Sequence, residues 1–372
     1  MKVLFLTNIP SPYRVDFFNE LGKLCDLTVM FESKKAKARD KSWEYSNYKN
    51  FNAVFLNGIK VGEAEAFCPS VIKYLSEKKY DSIVVGVYSS PTGMLAIEYM
   101  KMKKTPFILS TDGGIVKNDN ILNHKIKKHF ISSATAWLST GKTATDYLCH
   151  YGAEKDKCYV YPFTSVSKEK ILKKVLTSDE KNMYKSTLSI KESKMIISVG
   201  QFIHRKGYDI LLKACSGLDE NIGIYIIGGT PTTEYLNLVE QYNLTNVHFL
   251  DFMPPDKLEN YFKAADLFVL PTREDIWGLV INEAMEYGLP IVTTNKCVAG
   301  LELVEDGING KIVDVDDINQ LAESINKILS DNFLLEKYSL NSLEKIQEYT
   351  LENMAKKHIE FLKNIVKEKR IL

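Results

Sequence analysis

Strand-like and helical segments alternate along the whole of this 372-residue chain, and this alternation restricts the available folds more than any other feature. Short runs of β-branched and aromatic residues recur in both halves, and most are followed by a segment with helical periodicity. Strands that alternate with helices form parallel sheets covered by helices. Because the chain is also too long for one typical core, we expect two α/β domains, each built on an open parallel sheet.

The predicted elements are bounded by turn residues and polar stretches. In the first half, the predicted strands are residues 2–7, 27–31, 81–87, 106–110, 134–138 and 157–161, and the predicted helices are 13–21, 70–79, 91–101 and 141–151. In the second half, the strands are 195–199, 222–227, 247–250, 267–270, 291–294 and 311–313, and the helices are 207–216, 232–242, 256–264, 278–287 and 317–329. The polar stretch 164–194 is a predicted interdomain connection followed by a helix, and Thr350 is a predicted N-cap for a long terminal helix.

Composition is that of a soluble globular protein, since 45% of the residues are hydrophobic and 26% are charged. No uncharged apolar run reaches the length of a membrane-spanning helix, and the apolar run at the N-terminus is too short for a signal peptide. We therefore expect a cytoplasmic protein. The six cysteines are scattered without a CxxC pair, which argues against a disulfide framework and against a zinc site.

Charge is distributed unevenly, although the net charge is only +1. Residues 1–165 contain 23 basic and 16 acidic side chains, whereas residues 166–372 contain 25 basic and 31 acidic ones. Three basic clusters lie in the first half: Lys34, Lys35, Lys37, Arg39 and Lys41; Lys101, Lys103 and Lys104; and Lys125, Lys127 and Lys128 with His124 and His129. Such clusters indicate either contact with an anionic membrane or solvated helix faces. They lack the interleaved aromatic residues of single-strand binders, so no nucleic-acid partner is expected.

A segment in the second half places a strand end, a glycine turn and a short helix between two carboxylates, Asp275 and Glu283. Backbone N–H groups at the helix start, near Gly278, Leu279 and Val280, can hold a phosphate because the helix dipole is positive there. An ionised carboxylate accepts hydrogen bonds from both hydroxyls of a diol. Glu283 is therefore a candidate for holding a ribose, and Asp275 for holding a transferred sugar. The alternative is an ordinary helix start with acidic residues favoured by the dipole.

Arg205 and Lys206 lie just past a predicted strand and before a predicted helix, so they form a compact cationic site suited to a diphosphate leaving group. Gly228 and Gly229 follow the next strand. In open parallel sheets, ligands bind beyond the carboxyl ends of the strands, so these segments are expected to share one site. An exposed Arg-Lys pair is also common on ordinary protein surfaces.

Other nucleotide-binding and metal-binding motifs are missing from the sequence. The first turn lacks GxGxxG, and no acidic residue follows at the expected spacing, which disfavours a nicotinamide or flavin enzyme. GxxxxGK[ST] is also absent. The cluster Asp314-Val315-Asp316-Asp317 stands where a helix begins, so N-capping is favoured over metal binding. We expect no obligatory metal and no cofactor.

Asp112 follows a strand of the first half, in the sequence Thr-Asp-Gly-Gly, and is the best candidate there to interact with a reacting hydroxyl. Aspartate before two glycines is also ordinary turn chemistry, and this interpretation stays open. His204 and His124 are expected to be surface or packing residues.

Together these motifs resemble those of the retaining glycosyltransferases of family four, which have the GT-B architecture. The resemblance is carried by Gly200…Arg205-Lys206-Gly207, Gly228-Gly229, Ala265-Asp266…Pro271, and Asp275…Gly278-Leu279-Val280…Glu283-Ala284-Met285…Gly288…Pro290. In the first half, Ser-Pro-Tyr-Arg and Asp-Gly-Gly resemble loops of bacterial polysaccharide members. The resemblance implies two Rossmann-like parallel-sheet domains facing a cleft, with the terminal helix crossing back to the N-terminal domain. The implied domains are residues 1–165 with 350–372 on the acceptor side, and residues 166–349 on the nucleotide-sugar side.

The resemblance also implies roles for individual residues. Lys206 and Arg205 would bind the donor diphosphate, Glu283 the ribose and Asp275 the donor sugar, and catalysis would rest on positioning and charge stabilisation by these groups and Asp112. Further donor contacts are implied for Gly229, Phe252, Met253, Gly278, Leu279 and Val280, with the backbone around Phe252 and Met253 meeting the base. Two positions depart from the family pattern: Asp275 is one methylene shorter than the usual glutamate, and Gln201 stands where many members have arginine.

The implied function is retaining transfer of a sugar from a nucleotide sugar, with UDP as the expected carrier, to a glycan or lipid-linked sugar in cell-surface polysaccharide synthesis. Such an acceptor would place the protein at the inner face of the cell membrane. Two alternatives stay open. One is a sugar-nucleotide epimerase on the same fold, and the other is a non-catalytic nucleotide-sugar-binding partner, which the departures at Asp275 and Gln201 prompt.

Overall fold

The computed structural model describes residues 1–34 and 47–371, and the chain divides into two compact units. Unit 1 comprises Met1–Ser165 together with Tyr349–Leu372, and unit 2 comprises Val166–Glu348. Most of the first predicted basic cluster, namely Lys35, Lys37, Arg39 and Lys41, lies outside the described residues.

The described part of unit 1 contains a seven-stranded parallel sheet and a two-stranded antiparallel one. The strands are β1 (Lys2–Thr7), β2 (Asp26–Phe31), β3 (Asn52–Phe55), β4 (Ile59–Lys60), β5 (Ala66–Phe67), β6 (Ser82–Val85), β7 (Ile108–Ser110), β8 (Ala136–Ser139) and β9 (Cys158–Val160). The helices are α1 (Pro12–Gly22), α2 (Val71–Ser76), α3 (Pro91–Met102), α4 (Ile121–Ile131), α5 (Lys142–His150) and the C-terminal α14 (Leu351–Ile371). The parallel sheet has the order β3-β2-β1-β6-β7-β8-β9, and β4 pairs with β5.

The C-terminal helix α14 completes the core of unit 1. Thr350 caps its start by accepting a hydrogen bond from the backbone N–H of Asn353 at 3.2 Å, as the sequence predicts. The ring of His358 lies 4.7 Å from that of Phe17 on α1 and 4.3 Å from that of Tyr161. Because Leu362 on the same helix is also fully buried, α14 covers apolar surface that the N-terminal part of unit 1 would otherwise expose.

Unit 2 contains one six-stranded parallel sheet. Its strands are β10 (Lys194–Val199), β11 (Ile222–Ile227), β12 (Val247–Leu250), β13 (Leu267–Leu270), β14 (Ile291–Thr294) and β15 (Gly310–Val313). Its helices are α6 (Ser178–Thr187), α7 (Tyr208–Ala214), α8 (Thr233–Gln241), α9 (Pro255–Ala264), α10 (Leu279–Glu286), α11 (Val298–Leu303), α12 (Ile318–Ser330) and α13 (Asn332–Ile346). The strand order is β12-β11-β10-β13-β14-β15. Two parallel sheets with helices between the strands confirm the predicted α/β class.

Both sheets reverse their strand order next to their first strand. In unit 1, β1 pairs with β2 on one side and β6 on the other, and in unit 2, β10 pairs with β11 and β13. The crevice beyond the carboxyl ends of the strands at such a reversal is where ligands bind in open parallel sheets. The loops after β1, β10 and β13 are therefore the first places to look for a site.

A buried ion triad ties α6 to the sheet of unit 2. Asp266, just before β13, accepts hydrogen bonds from Lys181 at 3.1 Å, from Lys185 at 2.9 Å and from the backbone N–H of Met195 at 2.9 Å. All three charged side chains are almost fully buried. Burial alone would raise the pKa of Asp266, but the two ammonium groups outweigh it and the pKa is lowered. The carboxylate therefore stays ionised inside the unit.

The fold also tests the prediction for the acidic cluster at 314–317. Asp317 accepts a hydrogen bond from the backbone N–H of Gln320 at 2.9 Å and caps α12, which confirms the N-capping interpretation of the cluster at 314–317. No helix in the described parts of the chain combines the length and apolar character that crossing a membrane requires.

Candidate functional site

The loop after β10 turns tightly and carries Arg205 and Lys206. Residues His204–Lys206 form a single 3-10 turn, and Gly207 then starts α7 with φ at +70°. A Cβ atom at Gly207 would stand 2.0 Å from the carbonyl oxygen of Pro271, so only glycine allows this loop to approach the loop after β13 so closely. The close approach sets the cationic residues beside the segment that follows β13.

The loop after β11 also lies against the loop after β10. A Cβ atom at Gly228 would stand 1.9 Å from the carbonyl oxygen of Gly200, which again requires glycine. The backbone N–H groups of Gly228 and Gly229 both face the carbonyl oxygen of Leu250, at 3.0 and 3.3 Å. Three neighbouring strand ends, those of β11, β10 and β13, therefore present their loops side by side.

Arg273 fastens the loop after β13 to the loop after β10. Its guanidinium donates two hydrogen bonds to Asp209, at 2.8 and 2.7 Å, and a third to the carbonyl oxygen of His204 at 2.7 Å. Its backbone N–H donates to the carbonyl oxygen of Arg205 at 2.8 Å, and its Nε lies 2.7 Å from Asp316. The hydrogen bonds with Asp209 raise the pKa of Arg273. Such a bidentate pair fixes position as well as charge.

Lys206, Arg205 and Asp275 come together between these loops. The Nζ of Lys206 lies 2.5 Å from one Asp275 carboxylate oxygen, and a guanidinium nitrogen of Arg205 lies 3.3 Å from the other. The side chain of Lys206 is only 12% exposed, whereas that of Arg205 is 43% exposed. The cluster holds two cations against one carboxylate, so it can attract an anion and keeps Lys206 in a defined place.

The carboxylate of Asp275 sits on a backbone that is held at both ends. The N–H of Asp275 donates to the carbonyl oxygen of Lys296 at 2.9 Å, and the N–H of Val298 donates back to the carbonyl oxygen of Asp275 at 3.1 Å. Three residues later, Gly278 forms the N-cap of α10, where Leu279 and Val280 are the first helical residues and are half-buried. Glu283 lies one turn further along α10 and is also half-buried.

The residues predicted to meet the nucleotide base lie after β12, at the far end of the row of strand ends β12-β11-β10-β13. Phe252 and Met253 follow β12, and Phe252 is half exposed. The strand order places β12 three positions from β13, a span of about 14 Å at the usual strand spacing. The row of strand ends from β12 to β13 therefore offers an elongated surface, with the cations near one end and an exposed aromatic ring at the other.

Unit 1 brings together Asp112 and Arg14, which follow different strands. A guanidinium nitrogen of Arg14, in the first turn of α1, lies 2.5 Å from a carboxylate oxygen of Asp112, just after β7, and the Tyr13 hydroxyl donates to the same oxygen at 3.3 Å. Burial would lower the pKa of Arg14, but the carboxylate outweighs burial and raises it. Asp112 is thus a partly exposed hydrogen-bond acceptor that is paired with a cation at a strand end.

A small cavity lies beside this ion pair. Arg14, Asp112, Tyr13, Tyr161 and His358 contribute to its wall. His358 donates from Nδ1 to the carbonyl oxygen of Met354 at 2.8 Å, and its buried Nε2 has no hydrogen-bond partner among the described residues. Burial lowers the pKa of His358 to about 4, so the ring is neutral at pH 7. Arg14 is therefore the cationic side chain beside this cavity, and the neutral imidazole of His358 adds no positive charge.

Sequence reasoning missed the pairings that hold both sites. It singled out Asp112, Arg205, Lys206 and Asp275, but not the ion pairs of Arg14 with Asp112 and of Arg273 with Asp209. The available signal was position, because Arg14 and Arg273, like Asp112, follow shortly after predicted strands. Among residues 1–34 and 47–371, no group of three or more His, Cys, Asp or Glu side chains could hold a metal ion.

Comparison with known proteins gives a family match for unit 2. Residues 179–352, nearly all of unit 2, match the family model of the glycosyl transferases group 1. An uncharacterized glycosyltransferase of Methanocaldococcus jannaschii is 30% identical over 196 residues, which cover 50% of this chain and 50% of that protein. The lipopolysaccharide glucosyltransferase WaaG of Escherichia coli is 25% identical over 231 residues, covering 60% of this chain and 61% of WaaG. The chain therefore spans about half to three-fifths of the length of these curated relatives.

Solved structures show the same fold over the whole chain. HepE of Anabaena, solved in complex with UDP and glucose, matches with a TM-score of 0.75 at 17% identity, over 98% of this chain and 99% of HepE. At this identity the likeness concerns the fold alone. Unit 2 thus matches the glycosyl transferases group 1, and the whole chain, with its two Rossmann-like parallel sheets, has the GT-B fold.

Proposed function

We propose that this chain is a retaining glycosyltransferase that moves a sugar from a nucleotide sugar, with UDP as the carrier, to a glycan or lipid-linked acceptor in cell-surface polysaccharide synthesis. The observation that carries the proposal is the convergence of Arg205, Lys206 and Asp275 at the strand-order reversal of unit 2. Unit 2 is then the donor-side domain, and unit 1, with Asp112, is the acceptor-side domain. WaaG, a lipopolysaccharide glucosyltransferase, and HepE, solved with UDP and glucose, support this choice.

The donor would lie along the row of strand ends in unit 2. Lys206 and Arg205 would neutralise the diphosphate, and the N–H groups at the start of α10 would add hydrogen bonds to it. Asp275 keeps Lys206 in place and offers oxygens to the sugar, while Glu283 would accept from the ribose hydroxyls. The base would meet the chain near Phe252 and Met253. Because two side-chain cations and a helix start supply positive charge, we propose that the reaction needs no metal.

The acceptor would meet Asp112 in unit 1. Arg14 pairs with this carboxylate, and a carboxylate accepts a hydrogen bond from an attacking hydroxyl. The same ion pair fixes the direction of the carboxylate, which is a condition for orienting the hydroxyl. Membrane contact would follow from an acceptor that is linked to a lipid, and it would place the protein at the inner face of the cell membrane.

The test is release of nucleoside diphosphate from a panel of UDP-, GDP- and ADP-sugars, with and without a membrane extract that contains lipid-linked glycans. We expect release that depends on both a UDP-sugar and the acceptor. Asp112→Asn should bind UDP with the affinity of the wild type, measured by titration calorimetry. Its turnover, measured as UDP formed from the UDP-sugar in the presence of acceptor, should be at least about 100-fold slower. Isomerised donor without acceptor would indicate an epimerase, and tight UDP binding without turnover would indicate a non-catalytic partner. Either outcome would contradict the proposal.

Arg273→Lys tests whether the ion pair of Arg273 with Asp209 matters for donor binding. We call this pair the clamp, because it holds the loop after β13 against the loop after β10. Lysine cannot reproduce the paired hydrogen bonds to Asp209, so the loop that carries Arg205 and Lys206 should lose its fixed position. We expect kcat/KM for the donor to fall about tenfold, mainly through KM. Asp316→Asn is the matched control, because it removes only the half-exposed partner of Arg273 and should leave KM within about twofold. Unchanged donor KM in Arg273→Lys would show that the clamp plays no such part.

A further inference from the structure

The imidazole ring of His358 on α14 is buried, and one of its two nitrogens lacks a partner. The centre of the ring lies 4.7 Å from that of Phe17 and 4.3 Å from that of Tyr161, so packing fixes its place. Nδ1 lies 2.8 Å from the carbonyl oxygen of Met354, whereas Nε2 has no hydrogen-bond partner among the residues that the structure describes. Buried polar atoms are almost always hydrogen-bonded in folded proteins, so Nε2 indicates a place for a further group.

The group that pairs with Nε2 of His358 must be a hydrogen-bond donor. A carbonyl oxygen can only accept, so the contact with Met354 requires that Nδ1 carries the proton of the neutral ring. Burial lowers the pKa of His358 to about 4, so the ring has no second proton at neutral pH. Nε2 therefore presents a lone pair, and an O–H or N–H group is needed to satisfy it.

The tyrosine hydroxyls near His358 already donate elsewhere. The hydroxyl of Tyr161 donates to the carbonyl oxygen of Thr111 at 2.9 Å, and burial keeps it protonated by raising its pKa well above the usual value. The hydroxyl of Tyr13 donates to Oδ2 of Asp112 at 3.3 Å. Because a hydroxyl has only one proton to donate, neither tyrosine can also satisfy Nε2.

His358 lines the small cavity that Arg14 and Asp112 also line. Since Nδ1 is bonded to the backbone of its own helix, Nε2 is the ring nitrogen farther from α14. The cavity has a volume of about 10 Å³, which is room for about one water molecule. In so small a space, a single bound group lies within reach of several walls at once.

A water molecule matches the polar groups around this cavity. It has two O–H donors, one for Nε2 of His358 and one for the Asp112 carboxylate, whose Oδ1 can accept while Oδ2 receives Arg14 and Tyr13. The water oxygen can in turn accept from the guanidinium of Arg14, which has several N–H groups. A sugar hydroxyl has only one O–H and would leave one of the two acceptors unpaired. The hydrogen-bonding groups therefore favour water over a substrate hydroxyl.

We propose that His358 is a positioning residue for Asp112 and acts through one water molecule bound in this cavity. The water holds Oδ1 of Asp112 while Arg14 and Tyr13 hold Oδ2, so the carboxylate has a single orientation. The inference rests on the proposed function, in which this carboxylate orients the attacking hydroxyl of the acceptor. It also gives α14 a part in the acceptor-side chemistry, because this helix supplies the imidazole that holds the water.

Crystal structures of the full chain and of His358→Phe test the proposal directly. Phenylalanine keeps an aromatic ring against Phe17 and Tyr161 but has no Nε2. We expect the wild type to show one ordered water within about 3.2 Å of Nε2. The variant should lose this water, and its Asp112 side chain should turn to a second rotamer. A wild-type cavity without ordered water, or an unchanged Asp112 conformation in the variant, would overturn the inference.

Turnover, measured as UDP formed from the UDP-sugar in the presence of acceptor, is the second readout. His358→Phe should lower kcat about tenfold and leave the donor KM within about twofold, because Asp112 loses its orientation while unit 2 is unaltered. His358→Gln places an amide oxygen near the position of Nε2, so its kcat should stay within about threefold of the wild type. An equal loss of kcat in both variants would indicate packing alone and contradict the role of Nε2.

Leu362→Met is the matched control. Leu362 is buried on α14 one turn from His358 and is not one of the described residues that line the cavity. Methionine keeps its volume, so kcat should stay within about twofold of the wild type. Thermal unfolding followed by circular dichroism shows that each variant is folded. A wild type that forms no UDP with any donor and acceptor would refute the proposed function, whereas the two crystal structures would still decide on the water and the orientation of Asp112.

Discussion

Replacing Lys206 with alanine is expected to lower kcat/KM for the nucleotide-sugar donor by roughly a thousandfold. Lys206 is the more buried of the two cations at the donor site, and Asp275 holds its ammonium group at 2.5 Å. Charge on the leaving diphosphate grows as the glycosidic bond breaks, so a preorganised cation stabilises the transition state more than the bound donor. The loss should therefore appear mainly in kcat, measured as UDP release at saturating donor.

Two further variants sharpen this test. Lys206→Arg keeps the charge but changes its shape, so it should retain more activity than Lys206→Ala if charge stabilisation is the main contribution. Lys213→Ala removes a lysine from α7, the helix that follows the same loop, and should leave kcat within about twofold. Activity of Lys206→Ala within a few-fold of the wild type would remove the central support for the proposed donor site.

Replacing Asp266 with alanine is expected to destabilise unit 2 by about 3 to 5 kcal/mol. The substitution leaves the ammonium groups of Lys181 and Lys185 buried without their shared carboxylate. It also removes the acceptor for the backbone N–H of Met195, the second residue of β10. The free energy of unfolding in denaturant at neutral pH measures the effect. Glu259→Ala, which breaks a half-exposed ion pair with Lys263, should cost less than about 1 kcal/mol.

The pH dependence of the same measurement identifies the carboxylate as the cause. The pKa of Asp266 is lowered in the folded protein, so its stabilisation is present above the ordinary value of 3.8 and is lost as the pH falls through the lower folded value. The wild type should therefore lose stability in acid more steeply than Asp266→Ala. Parallel acid titrations of the two proteins would mean that the triad contributes little.

The sequence predicts strands well where an apolar run is bounded by turn residues on both sides. The run at 267–270 stands between Asp266 and Pro271, and the structure places β13 at those residues. The predicted runs at 2–7, 222–227 and 291–294 likewise coincide with the observed strands, and so does the run at 247–250, which is the partly buried edge strand β12. Central strands of a parallel sheet are buried on both faces, so their composition marks them without any knowledge of the tertiary fold.

Elements that lack an apolar run bounded by turn residues are not predicted from the sequence. Strand β3 lies at the sheet edge and is only partly buried, so its pattern is weak. In α4, the aliphatic residues lie on the outward face, and the usual assumption that an apolar stripe faces the core fails. Helix α13 was also missed, although α6 falls within the stretch where a helix after the interdomain connection is predicted.

For the candidate sites, local sequence identifies the residues but not their partners. Arg205, Lys206 and Asp275 can be chosen because each follows a strand, and strand ends carry function in this class of fold. The contact between Arg14 and Asp112 depends on which strands lie near β1, and the clamp of Arg273 on Asp209 depends on β10 and β13 being neighbours. Strand order results from packing of the whole sheet, so no local pattern encodes these pairs.

The discontinuity of unit 1 has a consequence for biosynthesis. All residues of unit 2 leave the ribosome before α14 does, since Val166–Glu348 lies between the two parts of unit 1. The nascent unit 2 can therefore complete its own sheet cotranslationally, while Phe17 and Tyr161 still lack the helix that covers them. During translation, unit 1 thus exposes apolar surface until α14 emerges.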